Sequence, residues 1–116
     1  MIKLTLTEEQ AKIVSLSCEF YTRIRIGLWN EITYNFMDIK RDDYCEARDA
    51  AEYYLLEARK YVYPDLSGIG HSYGVGKFED ADIAYDVHQV LRHALGDSRT
   101  PWSMSQEKLP VCEKVN

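Results

Sequence analysis

The chain has no run of lysine or arginine longer than two and no pair of cysteines at C-x-x-C spacing. It also has no apolar run near the ~20 residues that cross a bilayer. Each shortage removes a class of function. With a net charge of −5 and no basic tract, the chain cannot neutralise many phosphates, so long nucleic acid is an unsuitable partner. A single small anion needs only a few local donors and stays within reach. The start, MIKLTLTEEQ, is charged within ten residues and has no secretory pattern. Cys18, Cys45 and Cys112 are odd in number and scattered, which reads as reduced thiols in a cytoplasmic protein. A zinc site from these and His71, His88 and His93 would require chance convergence, so no metal and no cofactor is expected.

What the chain does have is apolar and aromatic content. An apolar fraction of 46% excludes disorder, and 116 residues suffice for one domain with a core. Nine tyrosines and two tryptophans can fill a core, line a pocket for a flat ligand or cover a subunit interface.

Helical spacing dominates the pattern. Met1 to Leu6 alternates apolar and polar, as a short strand or an extended arm does. Thr7 with Gln10 forms a capping box, opening a helix from about Glu8 to Ile26. Ala11, Val14, Cys18, Tyr21 and Ile24 form its stripe, widened by Ile13, Leu16 and Phe20, broad enough for the core and a second subunit. Gly27 interrupts, and a second helical pattern runs from Leu28 to about Asp38. A third covers Tyr44 to about Tyr61, with Asp42 or Asp43 as N-cap and Pro64 preventing continuation. Its charges read as a solvated face. A fourth runs from about Ala81 to Leu95, capped by Asp80 or Asp82 and ended by Gly96, with Ala84, Val87, Leu91 and Leu95 buried. The remainder, with Pro101 and Pro110, lacks periodicity; Trp102 and Met104 can pack back, and Leu109 to Val115 can pair with the N-terminal segment at an edge. The expectation is a mainly α, compact helical domain of about four helices over residues 1–116, with a short β pairing of the two termini as an optional addition.

The unusual chemistry sits in DLSGIGHSYGVGKFED, where four of six glycines fall between Gly68 and Gly76. Glycine clusters serve turns with positive φ or close approach to a ligand. The spacing G-x-G-x-x-x-G-x-G-K matches neither the Rossmann fingerprint nor the P-loop, and no β-rich stretch precedes it. A plain connection between helices is an equally open reading. The functional reading makes the loop one wall of a binding pocket. Gly70 and Gly74 supply backbone amides, His71, Ser72 and Tyr73 supply polar and aromatic contacts, and Lys77 supplies charge. Arg23, Arg25 or Arg92 completes the grip, although Arg23 and Arg25 also suit the C-terminal end of a helix dipole. His88 falls among Val87, Leu91 and Ala84, as a hydrogen-bonded histidine at the core's edge or as a site residue. His88 and His93, five apart, lie about 140° apart on the helix and cannot pair on one metal. No nucleophile elbow, triad order or paired carboxylate is legible.

The segments LTEEQAKIV, EARDAAEYYLLEARKYVYPDL, GHSYGVGKFEDADIAYDVHQVLRHAL and KLPVCE together resemble a group of small proteins from phages and prophages of Gram-positive bacteria. GHSYGVGKF is the most specific piece, and the resemblance covers most of the chain. It implies a phage protein that counters bacterial defence. One class of these acts as oligomeric sponges that bind nucleotide-derived messengers of Thoeris or CBASS systems and withhold them. The implied reading is a cytoplasmic homo-oligomer that sequesters a small nucleotide-derived ligand, with no long nucleic acid and no membrane as partner. Two others stand beside it. One is an enzyme that cleaves such a molecule with His71 or His88 as acid–base, and the other is a phage protein-interaction factor with no small ligand.

Overall fold

A computed structural model describes residues 1–68 and 70–115. Its order is α1 (Glu8–Arg25), α2 (Glu31–Phe36), α3 (Tyr44–Val62) and α4 (Glu79–Ala94). The protein is mainly helical, and the described residues contain no strand. The chain divides into two compact units: Met1–Thr22 with Val75–Asn116, and Arg23–Gly74. None of the helices is long and apolar enough to cross a membrane, among the described residues.

Local chemistry sets the helix ends. At the start of α1, the Gln10 amide donates to Thr7 Oγ1 at 3.1 Å and the Thr7 amide to Gln10 Oε1 at 2.9 Å, a reciprocal capping box. The same helix ends in a Schellman motif: Gly27 N bonds Ile24 O at 3.0 Å and Leu28 N bonds Arg23 O at 2.9 Å. Gly27 holds φ at +102°, which L-residues adopt only with strain. Because this motif takes up Leu28, and Trp29 and Asn30 form the next turn, α2 begins at Glu31 rather than Leu28. The same motif closes α4, with Gly96 N on His93 O and Asp97 N on Arg92 O, both 3.1 Å.

Two expected N-caps act otherwise. Asp43 makes no side-chain cap bond to α3, because its carboxylate holds the Arg41 guanidinium at 2.6 and 2.9 Å. Phe78 stands at the α4 N-cap position, and Asp82 instead accepts the Gly76 amide at 3.1 and 3.3 Å.

The buried set is mostly polar. Among the described residues Leu66, Ala81 and Val90 are the buried apolar ones, beside buried Ser15, Thr22, Thr33, Arg59, Asp82, Asp86, His88 and Gln89. This corrects the stripes read from spacing. On α4, Ala84, Val87, Leu91 and Leu95 are half-buried, while Asp86, His88 and Gln89 are buried. On α1, Ser15 and Thr22 are buried, whereas Ile13 and Leu16 are exposed.

In the first unit these polar groups find partners mainly on other segments of the chain. Thr22 Oγ1 donates to Ala81 O at 2.9 Å, joining α1 to α4. Asp86 accepts Met104 N at 2.8 Å, Ser105 N at 3.2 Å and Ser105 Oγ at 2.6 Å. Gln89 exchanges two bonds with the Trp102 backbone, at 2.9 and 3.2 Å. Trp102 and Met104 thus return to the body as expected, but through backbone bonds to α4 side chains. The β pairing of the termini does not form: Ile2 and Leu4 are exposed, residues 1–7 are an arm, and Pro110 offers no amide to a ladder.

Candidate functional site

In the second unit the glycine loop is built around a cation. Arg59, near the end of α3, is only 3% exposed. Its Nη1 donates to Gly27 O at 2.8 Å and His71 O at 3.2 Å, and its Nη2 to Gly68 O at 2.6 Å. One guanidinium therefore ties the end of α1 to the loop. The loop turns carbonyls inward at Gly68 and His71, the opposite of an amide cradle for an anion. Arg59 Nε is buried and meets no acceptor among the described residues. No carboxylate among the described residues pairs with Arg59 either. Three carbonyl dipoles offset part of the cost of burying this charge, and a net positive site remains.

A cleft of about 540 Å³ opens beside it, lined by Tyr53, Glu57, Arg59 and Lys60 of α3 and by Leu66, Ser67 and Gly68 beyond it. Lys60 Nζ lies 2.8 Å from Glu57 Oε1, and that carboxylate raises the Lys60 pKa above its ordinary value. Tyr53 is exposed and stacks edge-on with Tyr54, at 5.3 Å and 81°. Of the described loop residues, Gly68 lines this cleft.

The rest of the loop in this unit rests on aromatics. Tyr73 N donates to Ile26 O at 2.8 Å, and the Tyr73 hydroxyl donates to Asp65. That bond, with burial and the negative charge of Asp65 adding to it, pushes the Tyr73 pKa up to about 12. The Tyr73 ring meets Tyr63 edge-on at 5.2 Å, and Tyr63 meets Trp29 at 6.1 Å. Trp29 Nε1 donates to Ile24 O at 3.0 Å. Gly70 and Gly74 keep positive φ, while His71 and Ser72 are exposed. Arg23 pairs with Glu31 at 2.8 Å, and Arg25 Nη1 donates to the Tyr63 hydroxyl at 3.1 Å.

In the first unit, Lys77 is exposed and the neighbouring Gly76 amide is occupied by Asp82. His88 and Arg92 line a shallow, open hollow of about 430 Å³ with Lys12, Ser15, Glu19 and Asp97. Arg92 Nε is 3.8 Å from Asp97 Oδ2. The side chains of Ser15, His88 and Glu19 stand in a row: His88 Nδ1 is 2.9 Å from Ser15 Oγ, and Nε2 is 2.9 Å from Glu19 Oε2. The spacing resembles a hydrolytic triad, but the proton count does not. Nδ1 also lies 3.0 Å from the Ser15 carbonyl oxygen, which only accepts, so Nδ1 carries a proton. A protonated Nδ1 cannot take the Ser15 proton, which a nucleophilic serine requires. Ser15 is buried besides. The trio is a polar clasp between α1 and α4.

The expected cations are thus distributed. Arg23, Arg25 and the loop from Gly70 to Gly74 belong to the second unit, and Lys77, His88 and Arg92 to the first. Arg59 was missed because the charges of α3 read as a solvated face. The one hint was its place one turn beyond Leu55, on the side that also carries Glu52. Among the described residues no group of histidine, cysteine and carboxylate side chains could hold a metal.

No family model, no curated protein and no solved structure matches this chain.

Proposed function

We propose that this chain is a small binding protein that sequesters a nucleotide-derived signalling molecule without consuming it, a role that small phage and prophage proteins of the kind it resembles often play against bacterial defence. The observation that carries this reading is Arg59, a buried guanidinium with no carboxylate partner among the described residues, beside a cleft of about 540 Å³. Ligand pockets commonly fall between roughly 300 and 1,000 Å³. A phosphate in the cleft supplies the charge that three carbonyls do not, Lys60 can turn from Glu57 towards it, and Tyr53 offers a ring to a base. In the first unit the Ser15–His88–Glu19 trio has the Nδ1 proton facing the serine, the wrong place for a general base. In this proposal the protein works as a homo-oligomer in the bacterial cytoplasm, with neither membrane nor long nucleic acid as partner.

The test mixes the protein with cyclic dinucleotides and cyclic ADP-ribose derivatives and follows melting temperature and binding heat. The bound material is then recovered by heat denaturation and chromatography. Intact ligand recovered from the protein supports sequestration, and new products mean an enzyme. The Lys60→Ala variant should fold normally and bind about tenfold more weakly, since one charge-assisted bond is worth about 1.5–3 kcal/mol. A nucleotide that binds the Lys60→Ala variant as tightly as the wild type moves the site away from this cleft.

A further inference from the structure

We propose that a second copy of this chain docks antiparallel on the outward face of α3, about a two-fold axis at Tyr54, and runs along the rim of the Arg59 cleft. The inference rests on packing and charge, and it stands whether or not the cleft binds a nucleotide.

Helix α3 has 19 residues, and Arg59 is its one buried side chain. Such a helix is about 28 Å long at 1.5 Å per residue. Helices in water draw most of their stability from packing an apolar face; α3 packs the side that carries Ala51, Leu55 and Arg59 and leaves the opposite side to solvent. At 100° per residue, Ala47, Ala50, Tyr54, Ala58 and Tyr61 fall within an arc of about 80°, far round the helix from Arg59. Tyr54 is 70% exposed and Tyr61 90% exposed, with Ala58 and Ala50 also open.

The face matches itself best with the second copy antiparallel. Turned antiparallel about Tyr54, it sets Tyr61 over Ala47 of the second copy and Ala50 opposite its Ala58. A tyrosine thus meets an alanine at either end, Tyr54 meets its own copy on the axis, and the alanines between let the helices approach towards the usual 8–10 Å. Charge agrees with this direction. Glu46 and Lys60 lie on one flank of the stripe, at opposite ends, and the antiparallel register brings Glu46 within a lysine's reach of the second copy's Lys60. A parallel two-fold pair instead puts this flank of one copy on the side of the seam away from the same flank of the other, so it forms no Glu46–Lys60 pair, and it sets Tyr61 against Tyr61 with no notch for those rings. The same flank carries Tyr53, Glu57 and Lys60, which line the cleft. The second copy therefore borders the site.

Sedimentation equilibrium across a hundredfold concentration range decides the matter. The wild-type chain is expected at twice its 13.5 kDa mass. The Tyr54→Glu variant should be a monomer with its helical circular dichroism kept, while Ile13→Glu, on the exposed face of α1, should remain a dimer. Glu46→Lys and Lys60→Glu should each weaken the dimer about two- to fivefold, and the double exchange should restore it. A monomeric wild type, a Tyr54→Glu dimer of full strength, or dissociation by Ile13→Glu instead overturns the proposal. Should Tyr54→Glu fail to fold, the charge exchange decides: absence of rescue by the double variant refutes the antiparallel register.

Discussion

Replacing Gly27 by alanine loads two costs on one methyl group, and they can be separated. The φ of +102° lies in the region that L-residues avoid, at about 1–2 kcal/mol. A Cβ built there would stand 2.3 Å from Leu66 Cδ2 and 3.9 Å from Tyr63 Cδ2. Leu66 is a buried apolar residue, so it cannot swing into solvent without loss, and overpacking of this kind costs about 1–3 kcal/mol. The sum is about 2–5 kcal/mol, a large share of an ordinary domain's stability of about 5–15 kcal/mol. Urea denaturation followed by circular dichroism measures it. Gly74→Ala is the control, because its φ is +76° with nothing within 4 Å of the new atom, leaving the backbone term of about 1–2 kcal/mol. In the double variant Gly27→Ala with Leu66→Ala the clash is gone. Its destabilisation should fall short of the sum of the single effects by about the overpacking cost, 1–3 kcal/mol. A Gly27→Ala protein within about 0.5 kcal/mol of wild type, or additive single effects, would refute the reasoning.

Arg59→Met strands the carbonyls of Gly27, Gly68 and His71; it should cost about 3–5 kcal/mol and speed hydrogen exchange at the Tyr73 amide. Asp86→Ala removes the acceptor for the Met104 and Ser105 amides, so stability should drop by about 2–3 kcal/mol and trypsin should cut sooner at Lys108. Tyr73, raised from an ordinary 10 to about 12, should give a late step in an absorbance titration at alkaline pH. Its contribution to stability is full below pH 10 and is lost as pH climbs through about 12; Asp65→Asn should bring its midpoint back towards the ordinary value. Thr7→Ala breaks the capping box and should lower the stability of the fold by about 1 kcal/mol, read by thermal melting.

The sequence by itself determined what neighbours along the chain decide. The number of helices, the Thr7–Gln10 box, the stops at Gly27, Pro64 and Gly96, and the turning of the chain through the glycine loop all depend on residues a few positions apart. Short-range hydrogen bonds and allowed φ values act over that distance. Only the tertiary structure decided which polar side chains go inside. Periodicity ranked Val87 and Leu91 as interior and left Arg59 outside. Yet Arg59 is buried because carbonyls 9, 12 and 32 residues away converge on its fork, and His88 because Ser15, 73 residues back, meets its ring. Asp86 and Gln89 are buried because the backbone of Trp102 to Ser105 returns to them. A polar group is stable inside when its partner is there, and the partner's position is a property of the fold, which spacing along one helix does not carry.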